Sequence, residues 1–191
     1  VCHSAICSTN YIDYVGGSDA AAGTSPATAW QYFPLDARAT GTADAKTPAG
    51  GDGFIFKGGE TYYLPTNSTA FDLTTSGTAG NFITLDGDSG RYATRWGSGT
   101  NRAVLDGNSA TGIFIDGAQR NYWRVNGFEM RYGGHGNTFI NIDTAGNWEV
   151  TDNYIHRNYD WDLASGANKL GSYMQSGGNG IRIVEGRDVL V

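Results

Sequence analysis

The chain has 191 residues, of which 39% are hydrophobic and 13% aromatic, with a formal net charge of −6 at pH 7. This length is enough for one domain with a real core, and so many aromatics exclude a disordered chain. The acidity argues against nucleic acid as a partner, because binding it needs a basic face, and no apolar run reaches the roughly 18 residues of a membrane span.

Glycine is the compositional signature, at 29 of 191 residues, roughly twice the usual share of about 7%. Many short strands joined by glycine turns fit that usage. The chain opens on Val1 rather than Met, and Cys2 and Cys7 are its two cysteines. The expectation is a processed, secreted or cell-surface protein in which Cys2 and Cys7 close a small disulfide loop. Two free thiols are the alternative. A metal site using Cys2, His3 and Cys7 would lack a second ligand pair.

Tyr11-Ile-Asp-Tyr-Val15 alternates and predicts a first strand. Residues 16–26 are a loop by composition. Thr28 to Ala37 predicts a short helix capped by Thr28 and made irregular by Pro34, covering the open end of a stack. Residues 39–53 are small and polar. Phe54 to Leu64 predicts two strands about the Gly58-Gly59 turn. The stack proper then begins at Phe71, with short strands at 71–73, 82–85 and 103–105.

Three stretches follow that read as copies of one another: 112–132, 138–158 and 180–191. Each is an alternating strand, a polar turn and a second alternating strand. A repeat of this size means coils that bury their inner faces only by stacking on their neighbours. Alternation puts Ile113, Ile115, Trp123, Val125, Phe128 and Met130 inward in the first copy. Ile140, Ile142, Trp148, Val150, Asn153 and Ile155 match them in the second, and Ile181, Ile183, Val189 and Val191 in the third. An inward Asn153 at a corner is placed to bond turn backbone and the next coil. Asp188 to Val191 is a strand in mid-coil, so the expectation is either a longer natural chain or an edge covered by another copy. The whole reads as all-β. Residues 1–50 form an N-terminal strand, cysteine loop and cap, and residues 51–191 form the coils of the same domain.

Three pieces of this pattern resemble the right-handed parallel β-helix proteins of the pectate-lyase-like group. Tyr11 to Pro26 resembles the opening strand and loop of secreted members. Gly51 to Tyr63 resembles the first coil after a helical cap. Val150-Thr-Asp-Asn-Tyr-Ile-His-Arg-Asn158 resembles the V-x-x-N-x-I-x-x-N coil. The resemblance implies a solenoid of about six coils with an N-terminal cap and an open C-terminal end. Its members include lyases, hydrolases, epimerases, adhesins and phage tailspikes, so fold alone does not choose a function.

The lyases of this group, as the resemblance implies, abstract the proton beside a uronate carboxylate with a Lys, Arg, His or Tyr, while Ca²⁺ or basic residues neutralise that carboxylate. The candidates are Arg131, His135, His156, Arg157, Lys169 and Arg182, with Arg131 and Arg157 at near-equivalent positions. Outward Arg and His on such a coil are also simply solvated. Asp160 and Asp162 share a side in an extended segment and form a carboxylate pair for acid/base work, or else cap a turn. The interruption from Tyr159 to Asn179 carries Tyr159, Trp161 and Tyr173, which are placed to stack on sugar rings, to meet a neighbouring subunit, or to pack on the coil below. His135 joins these as a substrate-binding candidate.

Asp86-Gly-Asp88 resembles half of a calcium loop but lacks the later Glu, so a plain tight turn is the stronger reading. No cofactor is required by the sequence, and Asp86 and Asp88 are the candidate ligands for a Ca²⁺ ion. Asn67-Ser-Thr69 is a glycosylation sequon. Two functions are expected. One is a secreted carbohydrate-associated protein that binds or cleaves polysaccharide as a lyase or glycoside hydrolase. The other is a non-catalytic structural or adhesive protein that stacks on copies of itself into a filament.

Overall fold

The computed structural model describes residues 8–66, 69–97, 101–109, 111–133, 138–156 and 179–191. Within these residues lie fourteen strands, one five-residue α-helix and one 3-10 turn. With the strands numbered in chain order, the first sheet holds β1 (Ser8–Ile12), β2 (Asp52–Phe56), β5 (Ile83–Asp86), β8 (Trp123–Asn126), β11 (Gly146–Thr151) and β14 (Arg187–Leu190). The second holds β4 (Thr69–Asp72), β7 (Ile113–Asp116), β10 (Thr138–Asp143) and β13 (Asn179–Val184). The third holds β3 (Thr61–Tyr63), β6 (Val104–Asp106), β9 (Glu129–Arg131) and β12 (Tyr154–Ile155). Every strand pairing is parallel. From β4 onward the chain visits the second, first and third sheets in turn and repeats the circuit, which is the arrangement of a parallel β-helix. Among the described residues no helix is long and apolar enough to cross a membrane.

Alternation sets what faces inward. In β8 and β11, Trp123 lies beside Trp148 and Val125 beside Val150. All four are at most 3% exposed. The two indoles stack at 6.4 Å, and their N–H groups donate to the carbonyls of Thr75 and Arg120. Phe56 meets Phe71 and Phe128 in the interior, and Phe33 meets Phe54. Each such ring contributes about 1.5–3 kcal/mol by burial.

Corners recur at fixed places. Gln119 and Thr144, then Tyr122 and Asn147, then Gly127 and Asp152, hold positive φ at positions one coil apart. Gly127 has a second reason to be glycine, since a Cβ there would come within 2.6 Å of the Ser89 Cβ. Asn153 occupies the same corner, and its Oδ1 accepts the Phe128 N–H at 3.0 Å while its Nδ2 donates to the Val125 carbonyl at 2.8 Å. The coil it grips is the preceding one.

Several expectations need correction. The first strand is Ser8–Ile12 and ends before Val15. No helix spans 28–37. A 3-10 turn at Pro26–Thr28 leads into that stretch, Trp30 bridges to Ile12, and the one α-helix among the described residues, α1 (Gly41–Ala45), falls in the small, polar stretch 39–53. The Asp19 carboxylate explains this, because it accepts the N–H groups of Gln31, Tyr32 and Thr40 and so satisfies the backbone without a helix. β2 and β3 are not a hairpin, since they belong to different sheets. Stacking starts at β1, not at Phe71. Ile113 lies opposite Thr138, and Ile115 opposite Ile140, two residues away from the copy-to-copy matching.

The outer face of the first sheet is covered. Arg124 bonds Glu149 at 2.6 Å and lies 4.1 Å over the Phe82 ring and 5.6 Å from Tyr92. Ser89 bonds Asp86 and Asn126, and Arg91 reaches Thr151.

Candidate functional site

The outer face of the third sheet is two columns of side chains. Register places Thr61, Val104, Glu129 and Tyr154 in one column, and Tyr63, Asp106 and Arg131 in the other. His156 follows β12 and continues the second column, its N–H donating to the Met130 carbonyl. Tyr62, Leu105 and Met130 alternate with these and point into the core.

Glu129 is the hub. Its Oε1 lies 3.0 Å from His156 Nε2 and 3.2 Å from Arg131 Nη1. Arg131 Nε donates to Asp106 Oδ2 at 2.9 Å. Burial would lower the Arg131 pKa, but the bond to Asp106 and the charges of Asp106 and Glu129 outweigh it and raise it. The Tyr154 ring stacks on the His156 imidazole at 4.4 Å and 22°, and is itself 55% exposed. Beside this cluster runs a groove of about 570 Å³ whose lining includes Gly59, Arg102, Val104, Glu129, Asn153 and Tyr154. Arg102 Nη2 bonds the Asp152 carboxylate at 2.9 Å and also reaches the Asp152 carbonyl. Among the described residues the fixed charges here are three carboxylates (Asp106, Glu129, Asp152) and two guanidinium groups (Arg102, Arg131), all paired.

A carboxylate on one imidazole nitrogen fixes the ring's orientation and leaves its other nitrogen to face a ligand. An exposed tyrosine offers an apolar face with a polar tip, which suits a sugar ring. A second cleft, of about 540 Å³, lies at the corner between the second and first sheets, but its lining of turn residues such as Thr144, Asn147 and Glu185 has no aromatic ring.

Of the candidates from sequence, Arg131 and His156 come together here. Arg182 stands on the second sheet, where its Nη1 donates to Asn141 and Asp143. Arg157, Asp160, Asp162, Tyr159, Trp161, Tyr173, Lys169 and His135 lie outside the described residues, as do Cys2, Cys7 and Asn67. Asp86 and Asp88 are buried, and both carboxylates accept hydrogen bonds from the chain. Asp86 accepts the N–H and hydroxyl of Ser89, and burial pushes its carboxyl above the ordinary value. Asp88 accepts the N–H groups of Gly58, Trp96 and Gly97. Among the described residues no three His, Cys, Asp or Glu side chains form a set that could hold a metal ion.

Glu129, Arg102 and Tyr154 were missed in the sequence. Glu129 and Tyr154 alternate with Met130 and Ile155, so their outward direction was legible, but their meeting depends on register. No protein-family model, curated protein or solved structure matches the chain.

Proposed function

We propose that this is a secreted or cell-surface carbohydrate-associated protein that binds polysaccharide on the outer face of its third sheet. In this reading the solenoid is a right-handed β-helix of about six coils. Residues 1–50 cap its N-terminal end, and Cys2 and Cys7 are joined. The observation that carries the reading is the exposed Tyr154 ring, stacked on His156 and opening onto the groove beside Glu129.

Lyase-like cleavage is the second reading, favoured by the His156–Glu129 contact. His156 would take the proton beside a uronate carboxylate. The C–O bond to the leaving sugar would break, a C=C bond would form, and the departing oxygen would take a proton from water. That reaction also needs a cation for the uronate carboxylate, and Arg102 and Arg131 are engaged by the chain's own acids. On the described residues, binding without cleavage is therefore the better supported of the two.

Electrophoresis through gels containing individual polysaccharides tests the binding. Retardation of the wild type by at least one polysaccharide is expected, with an apparent affinity about tenfold weaker in Tyr154→Ala. Equal mobility in every gel would refute it. New unsaturated ends that disappear in His156→Ala would establish the second reading.

A further inference from the structure

Among the described residues, Tyr63 and Tyr154 are the most exposed aromatic side chains, at 50% and 55%. Both belong to the outer face of the third sheet. Tyr154 is on β12, at one end of that sheet, and Tyr63 is on β3, at the other. Three strand steps of about 4.8 Å separate them, so the rings mark points roughly 14 Å apart along the solenoid axis. The groove follows the same direction. Its lining takes Gly59, Arg102 with Val104, Glu129 and Tyr154 from four successive coils, so it runs along the axis and not around it.

Tyr63 is held in place. Arg38 donates from Nη1 to the Tyr63 carbonyl at 2.8 Å while its other nitrogens grip Asp36, and Tyr14 packs against the Tyr63 ring at 6.5 Å. Between the two tyrosines the charges of Asp106, Glu129 and Arg131 are bound to one another, and with Arg102 and Asp152 the sum is one excess negative charge. Among the described residues a polyanion finds no unpaired guanidinium between the two tyrosines.

We infer that the face binds an uncharged glycan lying along the solenoid axis, with Tyr154 and Tyr63 as stacking platforms for two separate sugar rings. The inference rests on the polysaccharide-binding reading and adds the path, the second platform and the charge class.

The test is calorimetric titration of the whole chain with cello- and manno-oligosaccharides, from disaccharide to octasaccharide, and with oligogalacturonates of the same lengths. Affinity for a neutral series is expected to climb with length and level off once the oligomer reaches both rings. Tyr63→Ala should then weaken the longest oligomers about tenfold and leave the shortest unchanged. Tyr63→Phe should behave as wild type, and Tyr154→Ala should weaken every length. Thermal melts of each variant identify any folding defect. If Tyr154→Ala weakens binding while Tyr63→Ala does not, the axial path is overturned and the binding reading survives. Tighter binding of the oligogalacturonates overturns the charge class. Binding of neither series overturns the inference, and the polysaccharide gels then decide the reading beneath it.

Discussion

Two aspartates shifted in opposite directions show how context sets the behaviour of a side chain. Burial would raise the Asp13 pKa, but the Lys57 hydrogen bond, the Gly16 N–H and the Lys57 charge outweigh burial and lower it. Burial raises the Asp86 pKa against the pull of the Ser89 and Asn126 hydrogen bonds, with the Asp88 charge adding to the rise. The signs follow from linkage. A carboxyl depressed in the fold stabilises above its unfolded pKa and loses that contribution as pH falls through the folded value. A raised one does the reverse, giving stability in acid that is lost as pH rises through the folded value. Asp13→Asn should therefore cost about 2 kcal/mol near neutrality, and the cost should shrink below the ordinary carboxylate range. For Asp86→Asn, the unfolding free energy relative to wild type should increase with pH across the acid range. Urea unfolding at a series of pH values checks both, and parallel slopes for the two variants would contradict the assignment.

At the level of elements, the corner between the first and third sheets depends on Asn153. Replacing it with Ala leaves the Phe128 N–H and the Val125 carbonyl without their bonds, at a cost of about 2–3 kcal/mol. Asp at the same place keeps the acceptor and should cost less; denaturation midpoints of the two variants decide. The sequence made this corner legible, along with the pairs Trp123–Trp148 and Val125–Val150, because the same side chains, Trp and Val, recur opposite one another there and mark the register. It did not make the second sheet's register legible. Ile113 reads equally well against Ile140 or Thr138, since a two-residue slip keeps every side chain on its own face. Residues 28–37 misled for a different reason. Trp30 and Phe33 are buried anchors on irregular backbone, and Asp19, which satisfies that backbone, lies about a dozen residues away. The same limit hid the candidate site, since alternation gives the direction of Glu129 and Tyr154 while only pairing gives their neighbours.

Across the whole molecule, one continuous core runs from Ile12 and Trp30 to Trp148 and Val150. A stack of this kind is stabilised by neighbour contacts, so protection should grade along it. Amide exchange should be slowest in β5 and β8, which are buried and paired on both sides, and fastest in β14, where Arg187, Asp188 and Leu190 are exposed. Uniform protection across the first sheet would count against that picture. The lateral bonds carry one further consequence. Asp106–Arg131, Asp116–Asn141, Asn121–Gly146, Arg124–Glu149 and Phe128–Asn153 each join positions 25 residues apart. A tandem duplication of such a segment inserts a coil whose bonding partners are already encoded above and below it. The molecule thus grows in quanta of about 4.8 Å, and the reach of the face between its two tyrosines becomes a matter of genetic copy number.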